Sequence, residues 1–344
     1  MTQQTTSAAP APKAPPKEAG RRGWGELLRS ERVPVPGILI LLAIAVIMTA
    51  INPRFLSGEN LVSIAQQSVA PVVIAVGLTF VVLMGGIDLS VAGIMAASSM
   101  CVASLIANNQ NGNDFGLLGV GIAVALGAGL GAVAGFSVGW LKIPSFIVTI
   151  GTWQIGLGIG QLLFAAAPPQ IEDAALRTAV SAPILGLPGI VWIGLVVVAL
   201  GALLQTMTRF GRYAFVIGDS EEIALQSGIR VRRYRLAGFI IAAACSALAA
   251  VLVTTRGGVG DVNIGGDLLF TTIAGVVIGG TYLTGGRGGV FHSVVGVLIV
   301  VAISNAMVLG GVDPYIQQAV QGGVVIVAAV VTMWHLRERL RVVK

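Results

Sequence analysis

Residues 61–89 read LVSIAQQSVAPVVIAVGLTFVVLMGGIDL. The run from 61 to 84 is long enough to cross a hydrocarbon core, which takes about 20 predominantly apolar residues in a helix. It stops only at Gly85-Gly86-Ile87-Asp88-Leu89, and a second apolar run occupies 90–107. Two apolar runs separated by five residues predict a tight membrane hairpin or a broken, re-entrant helix.

The same pattern recurs outward in both directions. Apolar runs lie at about 35–51, 61–84, 90–107, 116–141, 145–165, 185–207, 236–255, 268–284, 290–310 and 315–334. The 268–284 run is short and leads into Gly279-Gly280-Thr281-Tyr282-Leu283-Thr284-Gly285-Gly286-Arg287-Gly288-Gly289, a second expected break. The chain therefore reads as an all-α, polytopic helical membrane protein with about ten transmembrane helices. Ten divides into five plus five, and an odd number per half gives an inverted repeat.

Composition agrees. Of 344 residues, 55% are hydrophobic and only 10% charged, and the mean hydropathy is +0.90. Soluble domains carry about 25% charged residues, so a soluble enzyme or a nucleic-acid-binding protein is excluded. Few aromatics, 47 glycines and no alternating apolar/polar segments exclude an outer-membrane barrel. The net charge of +6 reflects topology, because Lys and Arg gather at the ends of the apolar runs. Cys101 and Cys245 lie inside apolar runs without metal or redox spacing, and read as core residues. His292 and His335 are not spaced as a metal pair.

With the N-terminus in the cytoplasm, that side holds Lys13, Lys17, Arg21, Arg22, Arg29, Arg32, Lys142, Arg209, Arg212, Arg230, Arg232, Arg233, Arg235, Arg287, Arg337, Arg339, Arg341 and Lys344. The other side holds Arg54, Arg177 and Arg256. The positive-inside rule selects this orientation, with both termini cytoplasmic. The Pro/Ala/Lys-rich segment 1–34 cannot bury apolar area and is expected to be a disordered cytoplasmic tail. Its basic region is too long for a secretory signal, and residues 21–32 fit a short interfacial helix. The transmembrane domain is expected at 35–334 and a basic cytoplasmic tail at 335–344.

The longest cytoplasmic connection is 208–235. Within it, Asp219 is suited to be an N-cap, with Glu222 three residues on as in a capping box. Ser220 follows the cap, and Glu221 and Glu222 suit the positive end of the helix dipole. Ile223, Ala224 and Leu225 supply a short apolar face, and Gly228, after Ser227, can close the helix in the left-handed region. The spacing predicts about two helical turns outside the membrane, serving either as a partner's docking element or as an ordinary connection.

Four blocks make the chain recognisable. They are Thr79-Phe80-Val81-Val82-Leu83-Met84-Gly85-Gly86-Ile87-Asp88-Leu89-Ser90-Val91, Pro144-Ser145-Phe146-Ile147-Val148-Thr149-Ile150-Gly151-Thr152, the 219–229 segment, and Ile273-Ala274-Gly275-Val276-Val277-Ile278-Gly279-Gly280-Thr281-Tyr282-Leu283-Thr284-Gly285-Gly286-Arg287-Gly288. In this order the chain resembles the membrane permease subunit of bacterial ABC importers for ribose, xylose, arabinose and related sugars. The resemblance implies that Asp219–Gly228 is the coupling helix of a separate ATPase subunit. It also implies a second permease chain, identical or paralogous, and a periplasmic or lipid-anchored sugar-binding protein. The binding protein would meet Arg54, Glu59, Glu172, Asp173, Arg177 and Asp261 at the outer mouth. No cofactor, metal, catalytic residue or nucleic-acid partner is implied. The glycines at 279–289 are not a phosphate loop, since the Gly-Lys-Ser/Thr of that motif is missing.

Candidate pathway residues are Asp88, Gln66, Gln67, Thr149, Gln154, Gln161, Thr271, Ser304 and Asn305, polar groups within or beside apolar runs. Two roles fit Asp88: lining the path, or capping the start of the third run. The chain departs from the family at Leu157, at Phe270-Thr271-Thr272 and at His292, which bears on the substrate more than on the mechanism. The alternative function is a secondary carrier driven by an ion gradient, for which Asp88 is the only coupling acid on offer. Intramembrane enzyme motifs are missing.

Overall fold

The computed structural model describes residues 34–164, 167–313, 315–320, 322, 323, 326 and 330. The expected disordered tail (all but Pro34), interfacial helix 21–32, basic tail 335–344 and half of the tenth run lie outside the described residues. Helices occupy Val35–Ile51 (α1), Gly58–Leu83 (α2), Val91–Leu105 (α3), Gly116–Gly139 (α4) and Ser145–Leu162 (α5). After them come Ala174–Ser181 (α6), a hairpin of Pro183–Ile184 (β1) with Leu187–Pro188 (β2), and Gly189–Met207 (α7). The rest are Arg209–Asp219 (α8), Glu221–Gln226 (α9), Val231–Gly257 (α10), Gly266–Ile278 (α11) and Val290–Leu309 (α12). Residues 315–320 are helical. Among the described residues five helices, α2, α4, α7, α10 and α12, are long and apolar enough to cross a membrane; α1, α3 and α11 are shorter apolar helices.

Helix α2 sits at the centre. Ser57 accepts a hydrogen bond from the Asn60 amide at its start, and its most apolar window is 89% buried, against 22% for α7 and 28% for α4. Helices α7, α10, α11 and α12 all pack against it. An apolar helix covered by its own chain differs from one that leaves a face for lipid, as α4 and α7 do. Helix α10 reaches back to α3 and α4, while α3 pairs with α5 and α11 with α12.

Small residues permit these approaches. Helix α4 carries Gly127, Gly131, Gly135 and Gly139, one turn apart on one face. A Cβ on Gly131 would lie 2.3 Å from that of Ala243 and 2.6 Å from the Phe239 carbonyl of α10.

Three sequence expectations are corrected. The run from 185 begins as a hairpin, because Leu185 and Gly186 both have positive φ, 50° and 82°, the condition for a tight two-residue turn. Helix α7 starts only at Gly189. The 208–235 connection is mostly helical: α8 precedes the expected short helix, and α10 starts at Val231, five residues before the expected 236. Helix α8 forms because Thr208 accepts a hydrogen bond from the Gly211 amide and Gly211, Ala214 and Ile217 share one buried face.

Gly131→Val should wedge α4 from α10 at a cost of about 1–3 kcal/mol, read as a lower melting temperature of the detergent-solubilised protein. Gly129→Val, whose Cβ meets open space, should melt like the wild type.

Candidate coupling surface and translocation face

Helix α9 is fixed at both ends by its own residues. Ser220 is the N-cap: its hydroxyl accepts from the Ile223 amide at 3.3 Å. Asp219, expected in that role, is instead the last residue of α8. The third helical position is then Ile223, so Glu222 makes no capping box. Glu221 instead pairs with Arg235 of α10 at 2.6 Å. Gly228, at φ +74°, lets its amide reach the Leu225 carbonyl and the Ile229 amide reach that of Ala224, both at 3.0 Å. This is the Schellman closure that a left-handed glycine permits.

The helix has one buried side chain. Ala224 is fully buried beside Leu83, Met84, Ala214, Ile217 and Val231. It does not share an exposed face with its neighbours, as the sequence suggested: Ile223 and Leu225 stay 58% and 56% exposed while Ala224 is the anchor. Asp219, Glu221, Glu222, Gln226, Ser227 and Gly228 are also exposed, and Ser220 is half-buried.

Three backbone segments converge beneath α9. The Leu83 carbonyl, at the end of α2, accepts from the Gly286 amide at 2.9 Å. A Cβ on Gly218 would lie 1.8 Å from that same oxygen and 2.5 Å from the Gly286 nitrogen. A polar chain continues from this junction. The Val290 amide donates to Gln205 at 2.6 Å and the Gly289 amide to Thr281 at 3.1 Å. Thr281 and Ser293 are 3.1 Å apart, and Thr79 of α2 donates to Ser293 at 2.7 Å.

The turn between α2 and α3 lies at the same end of the bundle. Asp88 is buried, and its carboxylate accepts from the Ser90 amide at 2.9 Å and from the Ser90 hydroxyl. The first turn of α5 grips this turn: Ser145 accepts from the Ile87 amide at 3.0 Å, and buried Thr149 donates to the Ile87 carbonyl at 3.4 Å. Asp88 and Thr149 thus meet at one locus.

The other sequence candidates scatter. Gln66 accepts from Arg256 at 2.7 Å at the opposite end of the bundle, and exposed Gln67 donates to Ser63. Asn305 is buried and exchanges two 3.0 Å hydrogen bonds with Asn60, fastening α12 to α2. Ser304 is half-buried, as is Thr271 on α11; the hydroxyl of its neighbour Thr272 is buried without a hydrogen bond. Gln154 and Gln161 are exposed on the outward face of α5 with Ile147 and Leu162. His292 is half-buried, its carbonyl against Gly279. Arg54, Glu59, Glu172, Asp173, Arg177 and Asp261 all lie at the end away from α9, where Asp173 caps α6 through the Leu176 amide at 2.9 Å. Cys101 is buried and Cys245 half-buried, both free. Among the described residues no group of three His, Cys, Asp or Glu could hold a metal.

A membrane bundle with a short capped helix outside it is one of several transporter plans, and the comparisons decide among them. Residues 60–329 match the family model "Branched-chain amino acid transport system / permease component". The chain belongs to this family. The ribose import permease protein of Escherichia coli (strain K12) is 32% identical over 319 residues, 91% of this chain and 97% of that protein. The D-allose transport system permease protein of the same strain is 34% identical over 294 residues, 85% and 89% of the two chains. A ribose import permease protein of Bacillus subtilis (strain 168) is 34% identical over 303 residues, 86% and 90%. No solved structure matches. The chain is an ABC-importer permease component, a multi-pass protein of the plasma (inner) membrane.

Sequence reasoning missed α8, the Gly218–Leu83–Gly286 junction and the glycine stripe of α4. The stripe was legible as four glycines at intervals of four. The junction was not, since its partners are far apart in the chain.

Asp88→Asn keeps an acceptor for Ser90 and should melt and insert like the wild type. Asp88→Ala should cost about 1–2 kcal/mol, read as a lower melting temperature and a lower membrane level.

Proposed function

We propose that this chain is the translocating subunit of an ATP-driven importer carrying a small neutral carbohydrate, a pentose, hexose or related polyol, into the cytoplasm. The observation that carries the reading is α9. It holds two exposed apolar side chains, Ile223 and Leu225, on a helix flanked by charges and tied to the central helix through Ala224. Two apolar side chains left exposed on an anchored, charge-flanked helix suit a groove on a partner. The partner we assign is a separate ATPase subunit, with α9 as the coupling helix on the cytoplasmic side. The 18-to-3 division of the 21 Lys and Arg residues supports that sidedness.

The cargo reading rests on the relatives and on α5. Gln154 and Gln161 face outward from an otherwise apolar helix. Amides against lipid tails are costly, so this face suits a second permease chain and a hydrated path between the two. Amides and hydroxyls match sugar hydroxyls; an amino acid zwitterion calls for charged partners. A binding protein would dock at the opposite end, near Glu172, Arg177 and Asp261.

The five-plus-five inverted repeat has support in the packing. Helix α2 packs on α11 and α12 of the second half, and α10 on α3 and α4 of the first. The segment after each has the same local form: Asp88 accepts from the Ser90 amide at 2.9 Å, and Asp261 from the Asn263 amide at 2.8 Å. Ion-gradient drive would use Asp88, whose carboxylate is already engaged by Ser90.

Ile223→Glu with Leu225→Glu alters only exposed side chains. Membrane level and melting temperature should hold, while co-purification of the ATPase falls at least tenfold. Undiminished co-purification and uptake would refute the assignment of α9.

A further inference from the structure

A cavity of about 530 Å³ opens beside α9, where α2 and α4 end and α10 begins. Its inner wall is apolar, formed by the buried Val81, Val138 and Phe239. Its rim is basic, formed by Lys142, Arg232 and Arg235, with Glu221 the one acid. Glu221 is taken by Arg235 at 2.6 Å, the one ion pair among the described residues. Lys142 and Arg232 are exposed and have no partner among the described residues.

Lys142 carries a second anomaly. Its φ is +55°, a left-handed conformation that glycine adopts freely and L side chains adopt reluctantly. The connection from α4 to α5 thus places a lysine where backbone geometry alone favours glycine. The side chain needs a use that offsets this strain.

From this cavity we propose that the α9 end of the bundle holds the phosphate headgroup of an anionic glycerophospholipid. Lys142 and Arg232 contact the phosphate, and Val81, Val138 and Phe239 accommodate the start of an acyl chain. An apolar depth topped by unpaired cations matches the polarity of a phospholipid along its length. It fits a sugar poorly, since the lining offers one hydroxyl, Ser145, already holding the Ile87 amide. The three apolar helices end or begin here, so the rim lies where hydrocarbon gives way to headgroups. Basic pockets between membrane helices on the cytoplasmic side bind acidic headgroups in this way.

The test uses the full chain purified in detergent. Phosphatidylglycerol, phosphatidylcholine and inorganic phosphate are titrated separately, read by melting temperature and by lipid retained in native mass spectrometry. Phosphatidylglycerol should be retained and should raise the melting temperature; phosphatidylcholine should do neither. Lys142→Gly relieves the backbone strain, so it should melt no lower than wild type without lipid. It should still bind phosphatidylglycerol about fivefold more weakly, as should Arg232→Gln. If Lys142→Gly fails to fold, Arg232→Gln alone decides. Equal phosphatidylglycerol retention by wild type and variants would overturn the proposal. So would equal protection by inorganic phosphate, which would make this a free-anion site. So would loss of ATPase capture by Arg232→Gln with lipid binding intact, which would make the rim a protein surface. The lipid measurements contain neither sugar nor ATPase, so the import reading can fail without them failing.

Discussion

One backbone carbonyl joins the membrane bundle to the element outside it. Leu83 ends α2, the helix that the rest of the chain surrounds, and its oxygen accepts from the Gly286 amide at 2.9 Å. Gly218 lies against the same oxygen so closely that no other residue fits there without moving something. Backbone-to-backbone contact of this kind has no flexible side chain to absorb a displacement. Ala224 of α9 and Gly218 of α8 both lie against this end of α2. From there the hydroxyls of Thr79, Ser293 and Thr281 link α2 to α12 and to the loop between α11 and α12.

Close approach is the recurring means. In a bundle surrounded by lipid, helices gain little from burying apolar surface and must associate through packing and polar contacts. The α4 glycines against α10 answer the first need. The Asn60–Asn305 amide pair and the Thr254–Ser99 bond between α10 and α3, 2.7 Å long, answer the second. Where packing is left open, the exposed side chains contrast with their surroundings. Helix α5 turns Gln154 and Gln161 outward, and α9 turns Ile223 and Leu225 outward.

Much of this was legible because membrane helices are specified locally. Apolar run length gave α1 to α5 and α12 to within about three residues, while α10 starts five residues before its run and α11 stops six residues short of its run's end; Gly228 signalled its own left-handed turn. Errors arose where neighbouring candidates compete for one job. Asp219 and Ser220 are both good caps, and the choice fell to Ser220 because α8, whose buried face runs through Gly211, Ala214 and Ile217, continues through Asp219. Ala224 read as exposed because a six-residue helix has too little periodicity to show which side is down. Asn305 read as a pathway residue because its partner, Asn60, is 245 positions away. Asp88 was open between two roles in the sequence; its carboxylate accepts from Ser90, which itself stands at the N-cap of α3.

We propose, as the central claim, that α9 drives the bundle through the Gly218–Leu83–Gly286 junction. The most direct measurement is sugar uptake per ATP hydrolysed, in proteoliposomes holding the permease, its ATPase and its binding protein, for wild type and Gly218→Ala. The added methyl displaces the junction and leaves Ile223 and Leu225 untouched. The account predicts that the ATPase still binds and hydrolyses ATP, while uptake per ATP falls at least tenfold. Wild-type uptake per ATP in Gly218→Ala would contradict it.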